Sequence, residues 1–131
     1  MYLNRFTGIG NVVSQPELQE TDGGKLWTKF PIAVNEYYKK DGKVKQFTTF
    51  IPVVAWDKWA KNICKGVRKG QPLLVEGPIR VKHYTDRKGE KKTSFQVEGS
   101  YFNWEPKWQP KSATQPKTQE DAVIEGVEGL F

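Results

Sequence analysis

Alternation of residue types with a period of two constrains the fold of this chain most. Leu26, Thr28, Phe30, Ile32 and Val34 occupy every second position of one segment. Because successive side chains of a strand point to opposite faces, this pattern predicts a half-buried β-strand. Asp41-Gly42 follows, a pair typical of a hairpin turn. The return segment is dense in β-branched and aromatic residues, which favours a second, antiparallel strand.

The remaining segments extend this pattern to five strands and one helix. The predicted elements are a strand over Phe6–Val13, a loop over Ser14–Gly24, the hairpin strands ending at Val54, a helix from Asp57 to Lys69-Gly70, a strand over Leu73–Tyr84 broken at Gly77-Pro78, and a strand over Thr93–Tyr101 after a turn at Asp86–Gly89. Three strands, one helix and two strands are the plan of the OB-fold. We therefore predict an all-β, five-stranded OB-fold barrel with one short helix and a disordered C-terminal tail.

Local patterns assign roles within these elements. Asp57 is expected to cap the helix, with its apolar face formed by residues at near-helical spacing: Trp59, Ile63, Cys64 and Val67. Three strand aromatics are expected in the core: Phe30, Phe47 and Phe95.

Charge divides the chain into a basic body and an acidic tail. Residues 1–104 carry 18 Lys and Arg against 10 Asp and Glu, whereas the last twelve residues carry four acids and no base. Between them, residues 105–119 hold three prolines and almost no aliphatic side chain, a composition typical of a flexible linker. We predict a nucleic-acid-binding domain over 1–104, a linker over 105–119 and an acidic partner-binding tip over 120–131.

Catalysis and cofactor binding are not favoured. One histidine, His83, and one cysteine, Cys64, cannot complete the usual four-ligand zinc site, and the acidic residues are scattered. No glycine-rich phosphate loop is present. The single cysteine fits a reducing compartment, and no apolar run approaches the roughly 20 residues that span a bilayer. We predict a non-enzymatic protein without cofactor or metal, not bound to a membrane, in the cytoplasm and associated with the nucleoid.

Aromatic residues recur beside basic stretches in the body. Tyr38, Phe50, Trp56 and Tyr84 each lie near lysine or arginine. Single-stranded nucleic acid offers unstacked bases and a charged backbone, which rings and cations together can hold without reading sequence. We expect these four rings to share one exposed, positively lined groove that binds an unpaired strand.

Several motifs resemble the bacterial single-stranded DNA-binding protein family over about residues 4–103. They are Asn4-Arg5 leading into Gly8–Asn11, Pro16-Glu17-Leu18, Ile32-Ala33-Val34, Val53–Lys58, Arg68-Lys69-Gly70 and Val75–Arg80. The resemblance implies protection of single-stranded DNA in replication, recombination and repair by a homotetramer, with a dimer left open. It places base stacking on Tyr38, Phe50, Trp56 and Tyr84, and contacts to the DNA backbone on Arg5, Lys39, Lys45, Lys58, Arg80, Lys82 and His83.

The tail resembles the family in part. Family members commonly end in clustered aspartates followed by Pro-Phe, which docks on replication and repair proteins. This chain keeps acidic residues and a terminal phenylalanine but lacks the proline, and the implied partner-binding residues are Glu125, Glu128, Leu130 and Phe131.

Two other classes stay open from the sequence. An OB-fold interaction module, such as a primosomal component or an RNA-binding protein, would share the body. A small nuclease would require metal-dependent cleavage of the strand.

Overall fold

A computed structural model of the chain describes residues 1–110. The elements are β1 (Phe6–Val12), β2 (Gln19–Glu20), β3 (Leu26–Lys40), β4 (Lys43–Trp56), α1 (Asp57–Gly66), β5 (Pro72–Gly77), β6 (Ile79–Thr85), β7 (Lys91–Glu98) and β8 (Tyr101–Asn103). The five predicted strand regions and the predicted helix are present among residues 1–110, with bounds that differ by a few residues. Two short strands were not predicted: β2 lies within the segment expected to be the loop Ser14–Gly24, and Tyr101, the expected end of the last strand, belongs to the separate strand β8. The predicted break at Gly77-Pro78 separates β5 from β6.

The strands form one sheet in the order β6-β7-β4-β3-β1-β5-β8, with β2 paired to β3. The pairs are antiparallel except that β4 and β7 run parallel, with Val53 opposite Val97. Because only Pro78 separates β5 from β6, the chain joins β6 at one end of the sheet to β5, the strand next to the other end, and the sheet curves into a barrel. This is the OB-fold barrel that the element order predicts.

Alternate residues of the strands fill the barrel, and α1 closes one end. Phe30, Ile32, Val53 and Leu73 are fully buried, and Ile63 of α1 packs with them. Burying each side chain of this size stabilises the fold by roughly 1.5–3 kcal/mol. The alternating segment Leu26–Val34 therefore supplies one wall of the core.

The helix differs from its predicted bounds and cap. Trp56 is the N-cap and makes no side-chain capping bond, while Asp57 is the first helical residue with φ of 50°. The helix ends at Gly66, where the N–H of Val67 donates to the Ile63 carbonyl over 2.9 Å. The expected Asp57 cap is therefore wrong, because the chain turns directly from β4 into the helix.

Close backbone approach explains the glycine at the β5–β6 corner. A Cβ on Gly77 would lie 2.2 Å from the carbonyl oxygen of Glu98, far inside van der Waals contact. The bend therefore brings β5 against the end of β7 at a distance that only glycine permits.

The β3–β4 and β6–β7 hairpins extend beyond the part of the barrel where α1 and the other strands pack against them. Phe47 on β4 and Phe95 on β7 are 59% and 47% exposed, so their expected place in the core is wrong. Each lies on the inward side of its strand, because Val53 and Val97, an even number of residues away, are buried. Strand alternation determines the side correctly, but the core ends before it reaches these rings.

The chain stays on the barrel after β8. Trp104 lies 6.5 Å from Trp59 of α1, and the carbonyl of Glu105 accepts a hydrogen bond from Gln71 over 2.8 Å. The boundary at 104, the linker over 105–119 and the acidic tip therefore remain predictions, and all of the tip lies outside the described residues.

Candidate nucleic-acid interface

The outer face of the β3–β4 ribbon carries two of the predicted rings. Since Phe30 and Ile32 point into the core, the odd-numbered residues of β3 point outward. Ala33 pairs with Phe50, and Trp27 pairs with Trp56, so both predicted rings share this outer face. Phe50 is 60% exposed, and its ring is therefore open to a ligand.

The same face continues onto β6 and β7. Val54 of β4 pairs with Glu98 of β7, and on β6 the residues Arg80, Lys82 and Tyr84 have the matching outward parity. Tyr84 is 50% exposed. Three of the four predicted rings, Phe50, Trp56 and Tyr84, therefore lie on one side of the sheet together with basic side chains.

Tyr38 lies on the other side. It is 43% exposed and pairs with Lys45, and both have the inward parity of Phe30 and Val53. Both side chains point away from the outer face. They lie near the tip of the β3–β4 hairpin, beyond the buried core residues of the two strands. The structure does not bring Tyr38 and Lys45 into the groove expected to hold all four rings.

His83 also points away from the outer face. It lies between Lys82 and Tyr84 on β6, so its side chain has the opposite parity, and its Nδ1 is 3.1 Å from Thr93 Oγ1 across the hairpin. A ligand on the outer face would meet Lys82 and Tyr84 rather than this ring.

Both arginines predicted to contact the DNA backbone already form ion pairs. Arg5 forms an ion pair with Glu76, and Arg80 contacts Glu98 over 3.0 Å. The arginine side chains of both pairs are more than half exposed, and exposed pairs contribute little because water screens them. A phosphate could therefore replace either carboxylate at small cost.

The predicted lysines occupy different parts of the surface. Lys39 lies on the outer side of β3 and pairs with Val44. Lys58 is exposed in the first turn of α1, two residues after Trp56. Lys39 therefore lies near the tip of the β3–β4 hairpin, and Lys58 lies at its other end, where β4 leads into α1.

Trp56 is half-buried between two neighbours. Its ring centroid is 6.5 Å from that of Trp27, with the planes tilted by 42°. Lys25 Nζ lies 4.5 Å from the Trp56 centroid, within the range of a cation–π contact. Sequence reasoning missed Trp27 and Lys25. The signal was present, since Trp27 occupies an outward position in the alternating segment.

A polar network stiffens the outer face beyond Phe50. Asn35 and Thr48 are paired across the ribbon, and the Thr48 hydroxyl donates to Asn35 Oδ1 over 2.7 Å. Gln46 Nε2 donates to the same oxygen over 3.1 Å. These bonds tie three polar side chains of the outer face to one another, beside the exposed ring of Phe50.

Within residues 1–110, no group of three His, Cys, Asp or Glu side chains is placed to hold a metal ion. Burial raises the pKa of the Cys64 thiol, which keeps it protonated and weakly nucleophilic at neutral pH.

The part of the chain that the structure describes contains no helix long and apolar enough to cross a membrane.

Comparison with solved structures defines the class of fold. The structure entitled "Plasmodium falciparum SSB complex with ssDNA" matches with a TM-score of 0.70 at 24% identity, covering 79% of this chain and 93% of that one. The chain is thus an OB-fold of this type, with rings and cations on its outer face.

The family follows from the sequence comparisons. The model of the single-strand binding protein family matches residues 3–103, and the chain belongs to this family. The "Single-stranded DNA-binding protein" of Clostridium tetani is 33% identical over 106 residues, 78% of this chain and 72% of that protein. The protein of the same name from Deinococcus radiodurans is 32% identical over 99 residues. That match covers 75% of this chain but only 33% of the D. radiodurans protein.

Proposed function

We propose that this protein binds single-stranded DNA, largely without regard to sequence and without catalysing a reaction on it. The observation that carries the proposal is the outer face of the sheet. There Phe50, Trp56 and Tyr84 stand on one side of the barrel, interleaved with Lys39, Arg80 and Lys82. The names of the related proteins support the same substrate.

The physical basis is stacking combined with charge. Each base that stacks on an aromatic ring contributes roughly 1–3 kcal/mol, and every base has a π-face, so the interaction tolerates any sequence. The net charge of +6 adds attraction for the phosphates. A duplex hides its base faces inside the helix and would gain only the charge term.

A direct titration tests the proposal. Quenching of tryptophan fluorescence is followed while a dT oligomer, and separately a matched duplex, is added to the full-length chain. We expect much tighter binding of the single strand, with log K falling against log salt by about 0.7 per phosphate neutralised. Equal affinity for the duplex would reject the proposal, and tighter binding of a matched RNA oligomer would redirect it to RNA.

We further propose that the protein acts in the cytoplasm during replication, recombination and repair as a homotetramer. Ile9 of β1 is exposed on the outer face opposite Leu74. The register of β1 with β3 involves only Asn11 and Val12, which leaves Phe6–Gly10 with an edge for a strand of another copy. Light scattering should give the mass of four chains for the native protein and a smaller mass for Ile9→Glu. An unchanged mass in the variant would contradict the proposal that this edge of β1 forms the interface.

Recruitment of partner proteins is proposed for the acidic tip, residues 120–131. Its four acids and terminal Leu-Phe suit a basic, apolar pocket on another protein. Deleting the tip should leave DNA affinity intact or slightly tighter, because a competing anion is removed. A marked loss of DNA affinity on deletion would contradict this division of roles.

A further inference from the structure

We propose that Trp27 and the cleft beside it bind one further base of the DNA strand, with a preference for bases that carry an exocyclic amino group. This inference rests on the proposed function and adds a subsite to it. The subsite is the cleft between the loop after β1 and the outer face of β3. Its volume is about 450 Å³, and its lining residues are Ser14, Gln15, Glu17, Gln19, Trp27 and Lys29.

The cleft lies next to the outer face that carries the rings of Phe50, Trp56 and Tyr84. Trp27 pairs with Trp56 across the β3–β4 ribbon, and their centroids are 6.5 Å apart. Because the two planes are tilted by 42°, the rings do not stack on each other. Trp27 keeps a partly exposed ring next to the cleft, so a strand leaving Trp56 meets it next.

The walls of the cleft suit a base better than a phosphate. Its volume falls in the roughly 300–1,000 Å³ range of small-molecule sites, which is ample for a nucleobase. The Glu17 carboxylate would repel a phosphate but can accept a hydrogen bond from the amino group of cytosine or adenine. Thymine carries a carbonyl oxygen in place of this amino group and offers Glu17 only its N3–H, so its gain beyond stacking should be smaller.

The loop that forms the opposite wall is held in place. Gln15 Nε2 donates to the Val67 carbonyl over 2.9 Å, and Gln15 Oε1 accepts from the N–H of Lys69 over 3.1 Å. Since both ends of this amide are engaged, Gln15 acts as a fixed wall and leaves base recognition to Glu17. Preorganisation of this kind lowers the ordering cost of binding.

Cations lie where the backbone of the bound nucleotide would run. Lys29 lines the cleft, and Lys25 lies over the ring of Trp56, which pairs with Trp27 across the ribbon. The base would therefore enter with its edge toward Glu17 while its phosphates remain outside near the two lysines.

The test measures dissociation constants of full-length variants for dC and dT oligomers of equal length at one salt concentration. Trp27→Leu should weaken binding of both oligomers roughly 5- to 100-fold, the range expected for one lost stack. The loss should be larger for dC, because the contact of its amino group with Glu17 is lost together with the stack. Trp27→Phe keeps a ring and should recover part of the loss. Tyr101→Leu, which changes an exposed ring on the distant strand β8, is the matched control and should bind like the native chain.

A second variant keeps the test decisive if Trp27→Leu folds poorly. Glu17→Gln changes one exposed side chain and should lower the ratio of dC to dT affinity, because the amide is a weaker acceptor than the carboxylate. An unchanged ratio overturns the base preference, and native affinity in a folded Trp27→Leu protein overturns the subsite. If either of these results is obtained but Phe50→Leu still weakens binding, that part of the subsite proposal is rejected and the proposed function stands. If the native chain does not prefer single strands over duplex, the proposed function itself is rejected.

Discussion

Lys25 Nζ lies 4.5 Å from the centroid of the Trp56 ring, so a cation covers the face of a ring that is proposed to stack on a base. A base and a lysine cannot occupy this face together. The lysine stem is long and its head is exposed, so it can swing aside and meet a phosphate instead. The contact between Lys25 and Trp56 is therefore expected only in the DNA-free protein. When DNA binds, a base should replace the lysine on the ring and the lysine should contact a phosphate.

The exchange of Lys25 predicts a change in salt dependence. Lys25→Ala removes one cation from the path, and the slope of log K against log salt should become shallower by about 0.7. Affinity should fall at low salt, with a smaller loss at high salt where the phosphate contact is screened. Lys65→Ala, at the far end of α1, is the control and should leave the slope as it is. Tighter binding by Lys25→Ala at low salt would show that the lysine only obstructs the ring.

Substitution of an exposed phenylalanine should change DNA affinity alone, and substitution of a buried one should change the stability of the fold alone. Phe50→Leu removes an exposed ring and should weaken single-strand binding by about 1–3 kcal/mol with an unchanged melting temperature. Phe30→Leu changes a core ring that is 1% exposed and should lower the free energy of unfolding by about 1 kcal/mol or more. The folded Phe30→Leu protein should keep native DNA affinity. Chemical denaturation and fluorescence titration measure the two effects, and a reversed pattern would contradict the assignment of faces.

Tyr38 should respond to the length of the strand. Because it lies on the side of the ribbon opposite Phe50, a short oligomer held on the outer face should not reach it. Tyr38→Leu should therefore leave the affinity for a short dT oligomer nearly unchanged and weaken a longer one that can wrap around the hairpin. Phe50→Leu should weaken both. Equal losses for Tyr38→Leu at every length would place the two rings on one path.

The close contact at the Gly77 corner predicts an effect on the stability of the fold. Gly77→Ala would set a Cβ 2.2 Å from the Glu98 carbonyl oxygen, and the resulting backbone shift should destabilise the fold by about 1–3 kcal/mol. Gly23→Ala is the control, because the nearest atom to its Cβ would be 3.9 Å away. Thermal unfolding of the two variants should show a lowered midpoint for Gly77→Ala only. Equal midpoints would mean that the corner relaxes freely.

Much of the fold was predictable because it depends on local patterns. The alternation from Leu26 to Val34 and the Asp41-Gly42 turn predicted a hairpin, and the structure pairs β3 with β4 from Trp27–Trp56 to Lys40–Lys43. Both turn residues have positive φ, 55° and 75°, as this type of tight turn requires. Phe50, Trp56 and Tyr84 were predicted as binding residues in the same way, from rings beside charges, and that role stays a prediction.

Other residues could not be assigned from the sequence. Phe47 and Phe95 look like core residues because they are aromatic and have the inward parity, yet no other element of residues 1–110 covers them. Trp27 looks like part of an ordinary strand until Trp56, Lys25 and the loop after β1 are placed around it. Each of these judgements needs the position of segments that are distant along the chain.

The sequence by itself determined the strands, their turns, the helix and the sign of the charge, since these follow from neighbouring residues and from composition. Only the tertiary structure decided where the core ends, which rings share a face and which cations are already paired. The physical reason is that alternation in a strand assigns each side chain to one of two sides. Whether that side is buried or open depends on what packs against it, and closure of the barrel settles this by bringing distant strands together.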